Sequence, residues 1–387
     1  MRKCFLLLTF VVAFFCGCGV TSEKADNDVS VTNENAGVSS AEENPDVPAM
    51  EKSGSMELDY AKGFSVDYYG DDALIEIGDE RYYLTADAKE KDIPDDVQVI
   101  HAPVKNIYLA SSSVMDLFLQ IDALDDIAMT STDARDWTIE KIASKVDSGE
   151  IEYVGKYSAP DFERILDRGC GLAIENTMIW HQPKTREQLI SLGVPTLVET
   201  SSYEEHVLGR MEWVKLYGLL TGHEREAEAF FSDARERLER VSDAPDTGKS
   251  VAFFYVTSSG YVNVRKSGDY ISELIEMAGG HYVSFDDEEK NSLSTMNVDI
   301  ESFVESAHDA DVLIYNSTVA GAPETVDELT DQAPFLSDFK AVQSGEIWAT
   351  GQNMFQMTGS LPEVAEELAV VIAGGDEQGH FFLKKLN

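Results

Sequence analysis

Residues 204–241 read EEHVLGRMEWVKLYGLLTGHEREAEAFFSDARERLERV, with no proline and no cluster of turn formers. Apolar side chains recur there at helical intervals: Met211, Val214, Leu216, Leu219 and Leu220, then Ala227, Phe230, Phe231, Ala234 and Leu238. The spacing predicts one long helix over 204–242, bent near Gly218 or Gly222. What lies on either side gives this helix its meaning. From Val97, strand candidates at 106–110, 125–129, 171–175 and 196–199 alternate with helical stretches at 113–123, 138–148, 160–168 and 184–192. After the break at 243–248 the alternation resumes, with strands at 251–256, 312–316 and 347–349 and helices at 270–278, 299–307 and 362–373. Such alternation predicts an α/β fold: two α/β lobes, 97–203 and 249–387, with mostly parallel central sheets, joined by one long helix. Upstream, Phe64–Tyr69, Leu74–Ile77 and Tyr82–Leu84 are short strands separated by Gly/Asp turns, a small N-terminal β-appendage over 57–96.

The extreme N-terminus is of another kind. Arg2 and Lys3 precede an apolar run from Phe5 to Phe15, followed by Cys16-Gly17-Cys18. The run is shorter than the roughly 18 residues a membrane span requires, and a small residue before a cysteine is a lipoprotein processing signal. Residues 1–17 are therefore expected to be removed and Cys18 to carry lipid, which anchors the protein to the extracytoplasmic face of the cell membrane. Residues 18–56, rich in Ser, Asn, Glu, Asp and Pro, lack the apolar content to fold and are expected to form a disordered stalk. With Cys4 and Cys16 gone and Cys18 lipidated, Cys170 is left as a free thiol without a disulfide partner.

The 387-residue chain carries 71 acidic against 30 basic residues, a formal net charge of −41. That excludes nucleic acid as a partner and leaves membrane attachment to the lipid, because anionic lipid would repel the protein. An anionic ligand would need arginines placed locally against the global field. Hydrolase elbows, phosphate loops and dinucleotide fingerprints are absent from the sequence, which argues against an enzyme.

Several stretches carry a family resemblance. Val154-Gly155-Lys156-Tyr157-Ser158-Ala159-Pro160-Asp161-Phe162-Glu163-Arg164-Ile165-Leu166, followed by Leu172-Ala173-Ile174, is one. Val298-Asp299-Ile300-Glu301-Ser302-Phe303, followed by Ala310-Asp311-Val312-Leu313-Ile314, repeats the unit in the second lobe. Ala278-Gly279-Gly280 and the stretch from Phe339 to Trp348 are further landmarks. Together these resemble the substrate-binding proteins of ABC importers for ferric siderophores, haem and cobalamin, over residues 97–373. The resemblance implies a monomeric receptor that captures a small-molecule metal chelate, needs no cofactor of its own, and delivers its ligand to an ABC permease and its ATPase. It also implies that Glu163 and Glu301, one per lobe, dock the permease through its basic loops.

Open α/β sheets bind ligands at the carboxyl ends of their strands. In the first lobe the loops there hold Ser112, Met178, Trp180, His181 and Tyr203; in the second they hold Tyr255, Tyr261, Arg265, Asn316, Met354 and Phe355. Aromatic and Met side chains can cover the apolar face of a chelate while Ser, Asn and Arg fix its polar groups. Arg210 and Arg265 are the candidates for its carboxylates, although Arg210 has glutamates beside it in sequence. A free divalent metal ion is the rival ligand, with His181, His206 and His281 and the carboxylates of Glu199 or Glu205 available, but no zinc-type spacing supports it. A lipid-anchored adhesin or hydrolase is a further alternative.

Overall fold

The computed structural model describes residues 51–87, 93–285, 294–376 and 379–387; the signal segment, Cys18 and the stalk up to residue 50 lie outside them. Five strands form the first sheet, in the order β1 (Gly54–Ser55), β2 (Phe64–Tyr69), β3 (Asp72–Ile77), β4 (Glu80–Thr85) and β5 (Val97–His101). Gly70 and Gly78 open the two-residue hairpin turns at φ 68° and 58°, the left-handed backbone such turns require. Two expected boundaries move. The stalk gives way before residue 56 because β1 pairs with β2, and the sheet continues past residue 96 because β5 adds to β4 in parallel.

The second sheet is wholly parallel. Its strands are β6 (Ile107–Leu109), β7 (Ile127–Thr130), β8 (Glu152–Tyr153), β9 (Ala173–Asn176) and β10 (Thr196–Glu199), in the order β10-β9-β6-β7-β8. Helices α1 (Met115–Gln120), α2 (Glu140–Asp147), α3 (Phe162–Asp167) and α4 (Pro183–Ser191) lie in the connections. Both faces are covered, so the strands are near-continuous apolar runs. Strand order reverses between β6 and β9, the switch point where an α/β sheet opens a crevice.

The linker corrects the expectation of one bent helix over 204–242. The chain forms two helices, α5 (Val207–Thr221) and α6 (Glu224–Ser242), packed as an antiparallel hairpin. Gly222, at φ 79°, ends α5, and the N–H groups of Gly222 and His223 both donate to the Gly218 carbonyl at 2.8 Å. A Cβ on Gly218 would stand 2.6 Å from that of Ala227, so the glycine lets the helices approach closely. Almost every side chain of α5 is buried, which marks a core helix, whereas α6 buries one stripe, Ala227, Phe231, Ala234, Leu238 and Val241, and carries the chain to the last sheet.

Two carboxylates fasten the N-terminal segment to α5. Glu212, fully buried, accepts from the N–H groups of Asp59, Tyr60 and Ala61 at 3.0, 2.8 and 2.8 Å. Glu204 accepts from Lys62 N, Gly63 N and Trp213 Nε1 at 2.9, 2.8 and 2.8 Å. Gln98 of β5 bonds to the backbone of Thr196, so the first sheet also covers the edge strand β10.

The third sheet begins with β11 (Lys249–Val256) and β12 (Val262–Arg265), then α7 (Tyr270–Met277), β13 (Gly280–Tyr282), β14 (Thr295–Val298) and α8 (Ile300–Ala307). It continues with β15 (Val312–Tyr315), α9 (Ser317–Ala320), α10 (Val326–Gln332), α11 (Lys340–Ser344), β16 (Ile347–Thr350), α12 (Leu361–Ala373) and β17 (Leu383–Lys385). The order is β14-β12-β11-β15-β16-β17, with β13 beside the first half of β11. β13, β11, β15 and β16 form a parallel centre, flanked by antiparallel β12, β14 and β17. No helix among the described residues is long and apolar enough to cross a membrane.

Candidate ligand-binding site

The loops that leave β6 and β10 meet beside the start of α5. Glu199, the last residue of β10, is buried and accepts from Ser111 Oγ at 3.0 Å and Ser201 N at 2.8 Å, and from the Ser201 hydroxyl. Arg210 sits one turn into α5 and is only 8% exposed. Its guanidinium has no hydrogen bond or ion pair among the described residues, and its Nε is buried without a partner. What it does contact comes from the C-terminal lobe: its Cζ lies 4.2 Å from the ring centroid of Tyr270, the first residue of α7. Tyr217, whose buried hydroxyl also lacks a partner, feels both Glu199 and Arg210, and burial raises its pKa. A cation buried without a counter-ion costs several kcal/mol, of which a desolvated ring contact offsets roughly 2 kcal/mol or somewhat more.

Arg265 ends β12, in the C-terminal lobe. Its Nη1 is 3.3 Å from Asp269 Oδ2, and its Cζ is 4.8 Å from the Phe355 centroid and 5.6 Å from that of Phe253. Burial raises the Tyr270 phenol, and Arg210 and Arg265 both pull it the other way. Arg210, on α5, and Arg265, in the C-terminal lobe, thus both act electrostatically on Tyr270. Asp269 also lines a cavity of about 960 Å³ at the junction, with Glu205, His206, Ser272, Glu273 and Tyr282. Glu273 ties the lobes there: it accepts from Val207 N at 2.6 Å and lies 3.2 Å from His206 Nε2, and burial pushes its carboxyl up to about 7.

Of the residues picked from sequence, the structure brings together Arg265 with Phe355, and Trp180 with Tyr203. The last two stack at 6.1 Å with an interplanar angle of 29°, and both are about half exposed, at 53% and 47%. Met178 and His181 are exposed on the same short 3-10 turn as Trp180. Tyr261 is exposed after the β11–β12 turn, and Ser112 and Tyr255 are half-buried. Two others are turned inward: Met354 packs in the core, and buried Asn316 caps α9 by accepting from Thr318 N at 3.1 Å and Oγ1 at 2.6 Å. Tyr270 was missed; a bulky aromatic directly after the N-cap Asp269 was read as an ordinary helix start.

The histidines are dispersed. His206 is engaged with Glu273, His281 with Asp246 and Glu276 at the surface, and Glu205 lies 3.6 Å from Lys62. No group of three or more His, Cys, Asp or Glu among the described residues is arranged to hold a metal ion. Cys170 is half-buried, with its thiol pushed up to about 11 by burial, which keeps it protonated and unreactive.

Glu163 and Glu301 occupy equivalent places, each the second residue of its helix after an aspartate N-cap, Asp161 for α3 and Asp299 for α8. Both are exposed, and neither carboxylate has a hydrogen bond or ion pair among the described residues.

Comparisons with known proteins agree with this architecture. The fold is similar to that of the periplasmic haem-binding protein HutB of Vibrio cholerae (TM-score 0.57, 17% identity, 69% of this chain and 98% of that one). It is similar also to a periplasmic haem-binding protein of Pseudomonas aeruginosa (0.56, 15%, 73% and 95%) and a periplasmic binding protein of Veillonella parvula (0.58, 15%, 81% and 98%). In sequence, the chain is 25% identical to an uncharacterized lipoprotein of Methanocaldococcus jannaschii, over 98% of this chain and 95% of the relative. The periplasmic binding protein family model matches residues 107–354, a stretch that includes the motifs at 154–174 and 298–314 and more than half of the chain. The chain belongs to the periplasmic binding protein family.

Proposed function

We propose that this solute-binding protein is an extracytoplasmic receptor, anchored by lipid on Cys18, that captures a metal chelate bearing an anionic group between its lobes. The class is that of iron complexes and tetrapyrrole-type chelates: a ferric siderophore, haem or a cobalamin-type molecule. The carrying observation is Arg210, buried at the lobe junction without a counter-ion. A carboxylate or similar anionic group on the ligand supplies that counter-ion, and a charge-assisted bond in so dry a place is strong. Arg265, backed by Phe355, offers a second positive contact, and the exposed Trp180–Tyr203 stack offers a platform for an unsaturated face.

Two structural neighbours bind haem, which is consistent with this class, and the lipoprotein relative is consistent with the anchor. A free divalent ion fits less well, because the histidines are dispersed. Delivery to an ABC permease uses Glu163 and Glu301, unpaired and exposed at matching helix starts. Capture and release require no bond to be made or broken, so the protein acts without turnover. Native mass spectrometry and visible spectra, taken after exposure to haemin, cobalamin, ferric citrate, a ferric catecholate and divalent metals, test the reading. A one-to-one complex with a chelate supports it; binding of bare ions alone overturns it.

A further inference from the structure

One short segment of the C-terminal lobe, after β16, makes a row of hydrogen bonds to the N-terminal lobe. Two of its contacts form a buried base: Thr358 Oγ1 donates to the Ser113 carbonyl at 2.6 Å, and Gly359 N donates to Asp116 Oδ2 at 3.0 Å. A Cβ on Gly359 would stand 2.9 Å from that oxygen, so this contact needs glycine at 359. Gln356 works differently, at the partly exposed rim. Its Oε1 accepts from both Thr138 N and Thr138 Oγ1, at 2.8 and 2.7 Å, and its Nε2 donates to the Asp136 carbonyl at 2.7 Å. The loop it grips, residues 131–138, leaves the carboxyl end of β7. The residue before it, Phe355, stacks on Arg265 in the ligand site.

A primary amide suits this position: it accepts twice and donates once in a single plane, and a carboxylate would lose the bond to the Asp136 carbonyl. Because the bonds are neutral and exposed to water at the rim, each contributes only about 1 kcal/mol net, weak enough to break and reform as the lobes part. We infer that Gln356 is a closure latch, a positioning residue that sets how tightly the lobes shut on the ligand and how fast the ligand leaves. A ligand resting on Phe355 and Arg265 is one residue from this latch, so occupancy and closure share a segment of chain. The inference rests on the ligand site proposed above.

Amide hydrogen exchange of the full chain reads the latch without any ligand. Gln356→Ala is expected to raise exchange several-fold not only at 136–138 but also in the facing segments 111–116 and 353–359. Gln356→Glu, which keeps the acceptor for Thr138, is expected to fall between the variant and the parent. With haemin as the probe, Gln356→Ala is expected to speed dissociation about fivefold to tenfold. If only the Thr138 amide loses protection, the contact is local and the latch is overturned. If haemin does not bind the parent protein, the ligand class fails for that probe while the exchange pattern still decides the latch.

Discussion

The guanidinium of Arg210, from α5 of the linker, lies 4.2 Å over the ring of Tyr270, from the C-terminal lobe, and no carboxylate pairs with it among the described residues. In a chain of 71 acids that absence is informative. Stability alone would favour an apolar side chain here, since an uncompensated buried charge carries a desolvation penalty of several kcal/mol that a hydrophobe of similar volume avoids. Arg210→Met is therefore expected to leave the urea midpoint of the unliganded protein unchanged or to raise it, as chemical denaturation will measure. A marked loss of stability would mean that the arginine is structural.

Glu175, at the penultimate position of β9, is fully buried, and neither of its carboxyl oxygens has a hydrogen-bond partner among the described residues. Burial pushes its pKa up to about 8, against an ordinary 4.5. Below pH 4.5 the carboxyl is protonated in both folded and unfolded chains and costs nothing differential. Between 4.5 and 8 the unfolded carboxyl ionises while the folded one keeps its proton, so stability falls as pH rises, by up to about 1.4 kcal/mol per unit. Asp116 and Glu273, pushed up to about 6 and about 7, slope the same way. Glu175→Gln is expected to flatten the pH 5 to pH 8 slope by a few kcal/mol, as urea denaturation at both values will reveal.

The segment 57–63 depends on Glu212, which holds three successive N–H groups and Lys215 Nζ at 3.1 Å. Glu212→Gln is expected to cost about 2–4 kcal/mol, because it weakens charge-assisted bonds and leaves buried donors unpaired. Limited proteolysis will check the location of the loss, with cleavage appearing first within 51–63.

The proposed docking role of Glu163 and Glu301 can be separated from capture. Reversing both charges, Glu163→Lys with Glu301→Lys, is expected to leave ligand affinity unchanged and to reduce association with permease-bearing vesicles by about tenfold or more per site. Vesicle pull-down beside ligand titration distinguishes the two effects.

Much of the fold was legible because local physics dictated it. The alternation at 97–199 and 251–373 follows from strands buried on both faces and helices buried on one, and the expected elements fall within a few residues of those observed. The hairpin of α5 and α6 was not legible: Gly222 reads as a mid-helix glycine until its left-handed φ is known. Strands β12 and β14 were missed because they are short and supported by each other. At the site, position after a strand end locates a loop but not the direction of a side chain. Met354 therefore looked like a ligand contact and packs in the core, while Tyr270 and Gln356 draw their roles from partners far away in sequence, Arg210 and Thr138.

Equilibrium titration of the full chain and of Arg210→Met with haemin, ferric citrate, a ferric catecholate and cobalamin tests the central claim most directly. The expected result is one-to-one binding of a carboxylate-bearing or otherwise anionic chelate by the parent, weakened at least about tenfold in the variant, a loss of about 1.4 kcal/mol or more. Equal affinity in the two proteins, or binding confined to an uncharged ligand, would contradict it.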